Sequence, residues 1–202
     1  MMLLIDDHIH EYSPQQIGQW LDELPEWRRR QALAFKHDAG RRQCLLAYRL
    51  LCQGLREGFG IAEPPTFEYG EHGKPFLNEE LRMKNEEFSP TPFFSLSHCR
   101  DAVACIIDDR PCGIDIEAST RKVSDSLIRH CMTDAEIEDI MRHAPGEGRE
   151  STFLRLWTQK EAVAKLLGTG IRDDFKNILH KGNFRIETQE TERWTMSTAQ
   201  CP

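Results

Sequence analysis

The pentapeptide Gly113-Ile114-Asp115-Ile116-Glu117 sets two carboxylates two residues apart. In a strand, where successive side chains alternate between faces, Asp115 and Glu117 share one side while Ile114 and Ile116 share the other. Two carboxylates on one face repel unless a proton or a cation stands between them. Hard oxygen ligands of this kind suit Mg2+, which takes a few carboxylates and leaves positions for substrate phosphate. An amphipathic edge strand with a solvated acidic face satisfies the same alternation. The segment Phe153–Leu167 weighs toward the first reading. At about 100° per residue, Phe153, Leu156, Trp157, Val163, Ala164 and Leu167 form an apolar stripe with Lys160 near its middle, and a lysine there needs an anionic partner. Glu161 lies at the flank of the stripe with Lys165 one turn on. The helix thus offers a third carboxylate and two ammonium groups beside a phosphate, although Glu161 and Lys165 also fit an ordinary surface pair worth ~0.3–0.5 kcal/mol.

Further anion-binding candidates lie upstream: Arg28-Arg29-Arg30, Arg41-Arg42, Lys74 between Gly73 and Pro75, and His98 after Ser95-Leu96-Ser97. Arginine grips phosphate in a bidentate fork, and a loop lysine supplies a compact charge. The whole chain has 202 residues with 26 Lys+Arg against 33 Asp+Glu, a net charge of −7, which disfavours a general nucleic-acid coat and requires any anionic partner to meet a local basic patch. A hydrophobic content of 39 % suffices for a real core, so disorder is not expected. No apolar run approaches the roughly 18–20 residues of a membrane span, and the start Met1-Met2-Leu3-Leu4-Ile5-Asp6-Asp7 lacks a basic leader region. A soluble cytoplasmic protein is expected. Seven cysteines without a Cys-x-x-Cys pair support neither a disulfide framework nor a zinc site.

The elements that must position these residues follow from periodicity and breakers. Residues 2–9 read as a strand, 14–34 as helix broken at Pro25, and 38–57 as a helix stopped by Gly58 and Gly60. A strand and tight loop follow over 63–76, then a charged connection over 79–92. Three strands are expected at 93–97, 102–107 and 113–117, as a hairpin or meander. Thr133-Asp134-Ala135-Glu136 has capping-box spacing, and a strong helix runs from 151 to 167 before Gly168-Thr169-Gly170. The order strand, helix, helix, strand thus occurs in 2–77 and loosely again in 102–190. A duplication of this kind places a site in the crevice between two similar α+β halves.

Four blocks in order resemble the 4′-phosphopantetheinyl transferases of the surfactin-synthetase-activating (Sfp) type: Gly73-Lys74-Pro75, Phe94-Ser95-Leu96-Ser97-His98, Gly113–Glu117, and Trp157-Thr158-Gln159-Lys160-Glu161-Ala162-Val163-Ala164-Lys165. The resemblance implies an α+β fold of two similar halves with pseudo-twofold symmetry. In it, 1–95 would supply nucleotide contacts to coenzyme A and 96–202 would carry the metal and catalytic motifs. It implies Asp115, Glu117 and Glu161 as Mg2+ ligands, Lys160 and Lys165 on the phosphates, and Lys74, Pro75, Ser97, His98, Arg41 and Arg30 toward the nucleotide. Glu136 would serve as a metal-water or general-base group. The implied reaction moves phosphopantetheine from coenzyme A to a serine of an acidic apo carrier protein. Arg28, Arg29, Arg30, Arg41, Arg42, Arg121 and Lys122 would steer that partner, and the enzyme is expected to be a monomer. Ser95 departs from the usual Asn of the family, and Cys99 from a small hydroxyl residue. Two other functions stay open on the residues alone: a Mg2+-dependent nucleotide pyrophosphatase, and a non-catalytic module binding carrier proteins or coenzyme A.

Overall fold

The computed structural model describes residues 1–78, 91–146, 148–172 and 174–202. Strand β1 (Met2–Asp6) is followed by helices α1 (Pro14–Asp22), α2 (Glu26–Leu33) and α3 (Asp38–Phe59), then the short strands β2 (Phe67–Tyr69) and β3 (Pro75–Leu77). After these come β4 (Phe93–His98), β5 (Val103–Asp108), β6 (Cys112–Ala118), α4 (Asp125–Cys131), α5 (Asp134–Met141), α6 (Arg149–Leu167), a 3-10 helix (Phe175–His180), β7 (Arg185–Glu190) and β8 (Trp194–Gln200). The fold is mixed α+β. Pro25 separates α1 from α2 as its missing N–H requires. Gly60, at φ 66°, ends α3 in the left-handed conformation that a side chain resists. Thr133 and Glu136 make the expected capping box at α5. The charged connection expected at 79–92 lies, over 79–90, outside the described residues.

Each long helix covers a three-stranded antiparallel sheet. Helix α3 packs on the sheet ordered β1-β5-β4, while α6 packs on the sheet ordered β6-β8-β7. This corrects the expected meander, because β4 and β5 form the hairpin but β6 leaves them to pair with β8. It also moves the division of the chain. A boundary at 95/96 cuts through β4, and β5 is the central strand of the first sheet, so the two halves part between β5 and β6. The apolar side of α3, including Leu46, Leu50 and Leu51, packs with Phe94, Val103 and Ile107. The second helical core gathers Phe153, Leu154, Val163, Ile128 and Ile140. Between the sheets, Ala104 and Ile106 meet Ile114, Ile116 and Met196. All seven cysteines are free thiols. No helix among the described residues is long and apolar enough to cross a membrane.

The two sheets meet where β4 lies beside β6. On β4, Phe94 and Leu96 face the α3 core, which leaves Ser95 and Ser97 facing β6. There the N–H of Ile114 donates to Ser95 Oγ and that of Ile116 to Ser97 Oγ, each at 3.2 Å. Two serine hydroxyls therefore satisfy backbone donors that β4 carbonyls would accept in a regular ladder. Ser95 is thereby committed to the seam.

Candidate active site

Strand β6 presents its isoleucines to the inter-sheet core and its carboxylates toward α6. The close contact of the two elements depends on Gly113, where an added Cβ would stand 2.0 Å from the Ala162 carbonyl oxygen and 2.6 Å from the Leu166 nitrogen. Both obstacles are backbone, so only glycine fits. Four residues of helix advance about 6 Å, close to the ~6.6 Å spanned by two residues of strand. Trp157, Glu161 and Lys165, four apart on α6, thus run in register with Glu117 and Asp115 on β6. Trp157 Nε1 donates to Glu117 Oε1 at 3.0 Å, and Lys165 Nζ donates to Asp115 Oδ1 at 2.8 Å. Ser97 Oγ also donates to Asp115 Oδ1, at 2.9 Å, and stands 2.9 Å from Lys165 Nζ.

Glu161 lies between these pairs. Burial raises its proton affinity, the Asp115 carboxylate raises it further, and despite the opposing Lys165 ammonium its pKa stands at about 7. Glu117 is raised as well, by burial and then by Asp115, against the opposing pull of Arg121. Arg121 makes a close ion pair with Glu117 Oε1 and its guanidinium lies over the Trp157 ring, 4.8 Å from the centroid. Two cations, Lys165 and Arg121, thus oppose three carboxylates. The deficit is visible at Asp115, 5 % exposed, whose Oδ2 is buried without a hydrogen-bond partner. An orphaned acceptor beside mutually repelling carboxylates is the donor chemistry that a hard divalent cation completes. Among the described residues no three His, Cys, Asp or Glu side chains surround a common metal position, and Lys165 and Arg121 each hold one oxygen, of Asp115 and Glu117 respectively.

Of the cluster, Glu161 and Lys165 line a cavity of about 300 Å3 between the halves, together with Lys74, Pro75 and Ser95 among others. Lys74 Nζ donates to the Leu166 carbonyl at 2.9 Å, capping the end of α6, and burial lowers its pKa. Arg172 bonds His72 Nδ1 at 2.7 Å and ties the β2–β3 turn to the loop after α6. His98 ends β4 as an exposed residue, and partial desolvation with the nearby Lys165 ammonium pushes its pKa down.

The structure thus brings Asp115, Glu117, Glu161, Lys165, Ser97 and His98 into one neighbourhood, with Lys74 and Pro75 on the cavity wall. It does not bring Lys160 or Glu136 there. Lys160 Nζ is fully buried and donates to Glu136 Oε2 at 2.6 Å, the Lys176 carbonyl at 2.6 Å and the Cys131 carbonyl at 3.2 Å. All three donors are consumed inside the helical core, which leaves Lys160 without a donor for the phosphate contact expected of it. Glu136 is the anion that a buried lysine demands, and its Oε2 also accepts from Thr133 N–H. Arg30 pairs with Glu26 on exposed α2, while Arg41 holds the Phe35 carbonyl and Asp38; neither lines the cavity. Arg28 is buried against Tyr48 and Phe67 and donates to the Cys44 carbonyl, which removes it from any steering surface. The contributions of the Trp157 indole N–H and of Arg121 were missed by sequence reasoning. Their signal was the four-residue spacing of Trp157, Glu161 and Lys165 and the equal spacing of Glu117 and Arg121.

Comparison with known proteins bears on the same residues. Residues 111–200 match the family described as the 4′-phosphopantetheinyl transferase superfamily. The chain is also similar to curated 4′-phosphopantetheinyl transferases. It is 32 % identical over 131 residues to 4′-phosphopantetheinyl transferase psf-1 of Bacillus pumilus, covering 64 % of this chain and 52 % of that protein. It is 32 % identical over 135 residues to 4′-phosphopantetheinyl transferase HetI of a Nostoc species, covering 64 % and 54 %. With 4′-phosphopantetheinyl transferase Sfp of Bacillus subtilis the identity is 30 % over 129 residues, covering 62 % and 53 %. The chain spans about half the length of these curated relatives. The matched residues contain β6 and α6 entire, and with them Asp115, Glu117, Glu161 and Lys165.

Proposed function

We propose that this chain transfers the 4′-phosphopantetheine group of coenzyme A to a serine of an acidic apo carrier protein, releasing adenosine 3′,5′-bisphosphate. The observation that carries the reading is the three-carboxylate cluster, short of one cation and with Asp115 Oδ2 orphaned, at the edge of a cavity that also holds Lys74 and Lys165. Asp115, Glu117 and Glu161 would hold Mg2+, which when bound supplies charge neutralisation and a template for the diphosphate. Lys165 uses Asp115 and Ser97 as partners and, at 31 % side-chain exposure, keeps a donor direction for a phosphate oxygen. Lys74, anchored on the Leu166 carbonyl, puts a second ammonium on the wall of the same cavity. Phosphoryl transfer needs alignment and charge stabilisation more than covalent chemistry, and preorganised cations of this kind supply both. Ser97 holds Asp115 and Lys165 in register, while His98, kept largely neutral by its lowered pKa, can donate or accept one hydrogen bond at the nucleotide side. Lys160 and Glu136 act at a distance in this reading, by fixing α6 so that Glu161 and Lys165 face β6. The enzyme is read as monomeric, since both walls of the cavity come from one chain, and the cytoplasmic location expected from its composition is kept as part of this proposal.

The test is mass spectrometry of a panel of apo carrier proteins incubated with coenzyme A and Mg2+. The expected result is a gain of one phosphopantetheine mass. Asp115→Ala and Glu161→Ala each lower the rate by more than ~100-fold, the scale of a lost electrostatic stabiliser, with circular dichroism unchanged. Full activity in either variant removes the metal assignment.

A further inference from the structure

Arg121 stands at an unusual junction. Strand β6 ends at Ala118, and the N–H of Arg121 turns back to donate to the Ala118 carbonyl at 2.9 Å, while Ser119 N–H donates to the Arg193 carbonyl at 3.0 Å. That turn returns the Arg121 side chain over Glu117 at a four-residue spacing without a helix. Its guanidinium reaches Glu117 Oε1, the oxygen that also accepts from Trp157 Nε1, and its central carbon stands over the same indole, 4.8 Å from the ring centroid. A planar, permanently charged group resting on an aromatic face is held in place at little entropic cost. Arg121 also lines a separate cavity of about 370 Å3 with Glu150 and Ser151, where Glu150 Oε2 accepts from the Gly146 N–H at 2.8 Å and Oε1 is left for a cation.

We propose that Arg121 is an internal counter-ion that competes with a divalent cation for Glu117 and so sets how tightly the carboxylate cluster binds metal. The inference rests on the reading of Asp115, Glu117 and Glu161 as metal ligands. In the metal-free protein Arg121 neutralises Glu117 and limits the repulsion within the cluster. When a cation claims the Glu117 oxygens, the guanidinium withdraws toward the second cavity, where Glu150 offers an alternative carboxylate. Arg121 is a positioning residue in this scheme, and its seat on Trp157 gives the exchange an optical signature.

The test is calorimetric titration of the folded protein with MgCl2 alone, with tryptophan emission followed in parallel. Arg121→Gln is expected to bind Mg2+ about tenfold more tightly than wild type, about 1.4 kcal/mol. Arg121→Lys, which keeps the charge and loses the guanidinium over the indole, falls between the two. Wild-type emission shifts on Mg2+ addition, and the shift disappears in both Arg121→Gln and Trp157→Phe. Equal or weaker Mg2+ affinity in Arg121→Gln, with wild type binding normally, overturns the role of Arg121 and leaves the metal site standing. Absence of Mg2+ binding in wild type overturns the three-carboxylate reading and this inference together.

Discussion

Lys160 and Lys165 sit five residues apart on α6, yet they belong to regions of opposite character. Around Lys160 the helical core satisfies every donor: Glu136 and two backbone carbonyls consume the ammonium, and no side-chain surface is exposed. Around Lys165 the seam between the sheets leaves charge unbalanced, with three carboxylates against two cations and one carboxylate oxygen without a partner. The comparison teaches that a lysine in a motif is assigned by whether the protein itself exhausts its hydrogen bonds. A closed set of partners fixes structure. An open one is available to a ligand.

The largest effect that would sharpen this contrast is on stability. Lys160→Met leaves Glu136 as a largely buried carboxylate without its cation, and the expected cost is about 3–5 kcal/mol in urea denaturation. The double variant Lys160→Met/Glu136→Leu recovers most of that loss, because removing both partners strands no charge. A Lys160→Met protein of wild-type stability would erase the distinction between the two regions.

A smaller stability effect with a different dependence is expected at the seam. Lys165→Met removes one of two cations and costs about 1.5–3 kcal/mol, the range for a hydrogen bond to a charged group. Because that loss consists of carboxylate repulsion, added Mg2+ restores the thermal midpoint of Lys165→Met, as any ligand of the native state alone must do. The midpoint of Lys160→Met gains no more from Mg2+ than wild type does. Equal rescue of both variants would place the cation elsewhere.

The third effect is a pH slope, spread over a window rather than carried by one contact. Glu161 is raised from the usual 4.5 to about 7, so the native state holds a proton that the unfolded chain releases earlier. Between those values the metal-free protein loses stability as pH rises, with the loss complete above about 7. Glu161→Gln, permanently neutral, should flatten the slope of denaturation free energy over that window; an unchanged slope would assign it to other groups.

Much of this was legible in the residues. The period-two pattern of 113–117 placed Asp115 and Glu117 on one face, and the stripe of 153–167 showed that Lys160 had to find an anion. Leu167, expected within that stripe, is 43 % exposed, because α6 ends there and Gly168 turns the chain away. Two features were not readable because they depend on contacts between distant segments. Which anion meets Lys160 depends on how α5 docks against α6, and Glu136 is 24 residues away. Whether β6 pairs with β5 or with β8 depends on the pairing of strands from the two ends of the second half, for which 108–111 supply only a turn signal. The same distance hides the seam serines. Ser95 and Ser97 read as a polar alternation, and only the neighbouring β6 shows that their hydroxyls replace ladder acceptors and hold Asp115.

The central claim is that Asp115, Glu117 and Glu161 close around one divalent ion. Crystals grown with Mn2+ and measured at the manganese absorption edge test it directly. The account expects a single anomalous peak per chain bounded by oxygens of those three side chains, with Arg121 moved off Glu117. A map in which Arg121 and Lys165 still hold the carboxylates and the manganese peak lies elsewhere, or is missing, contradicts it.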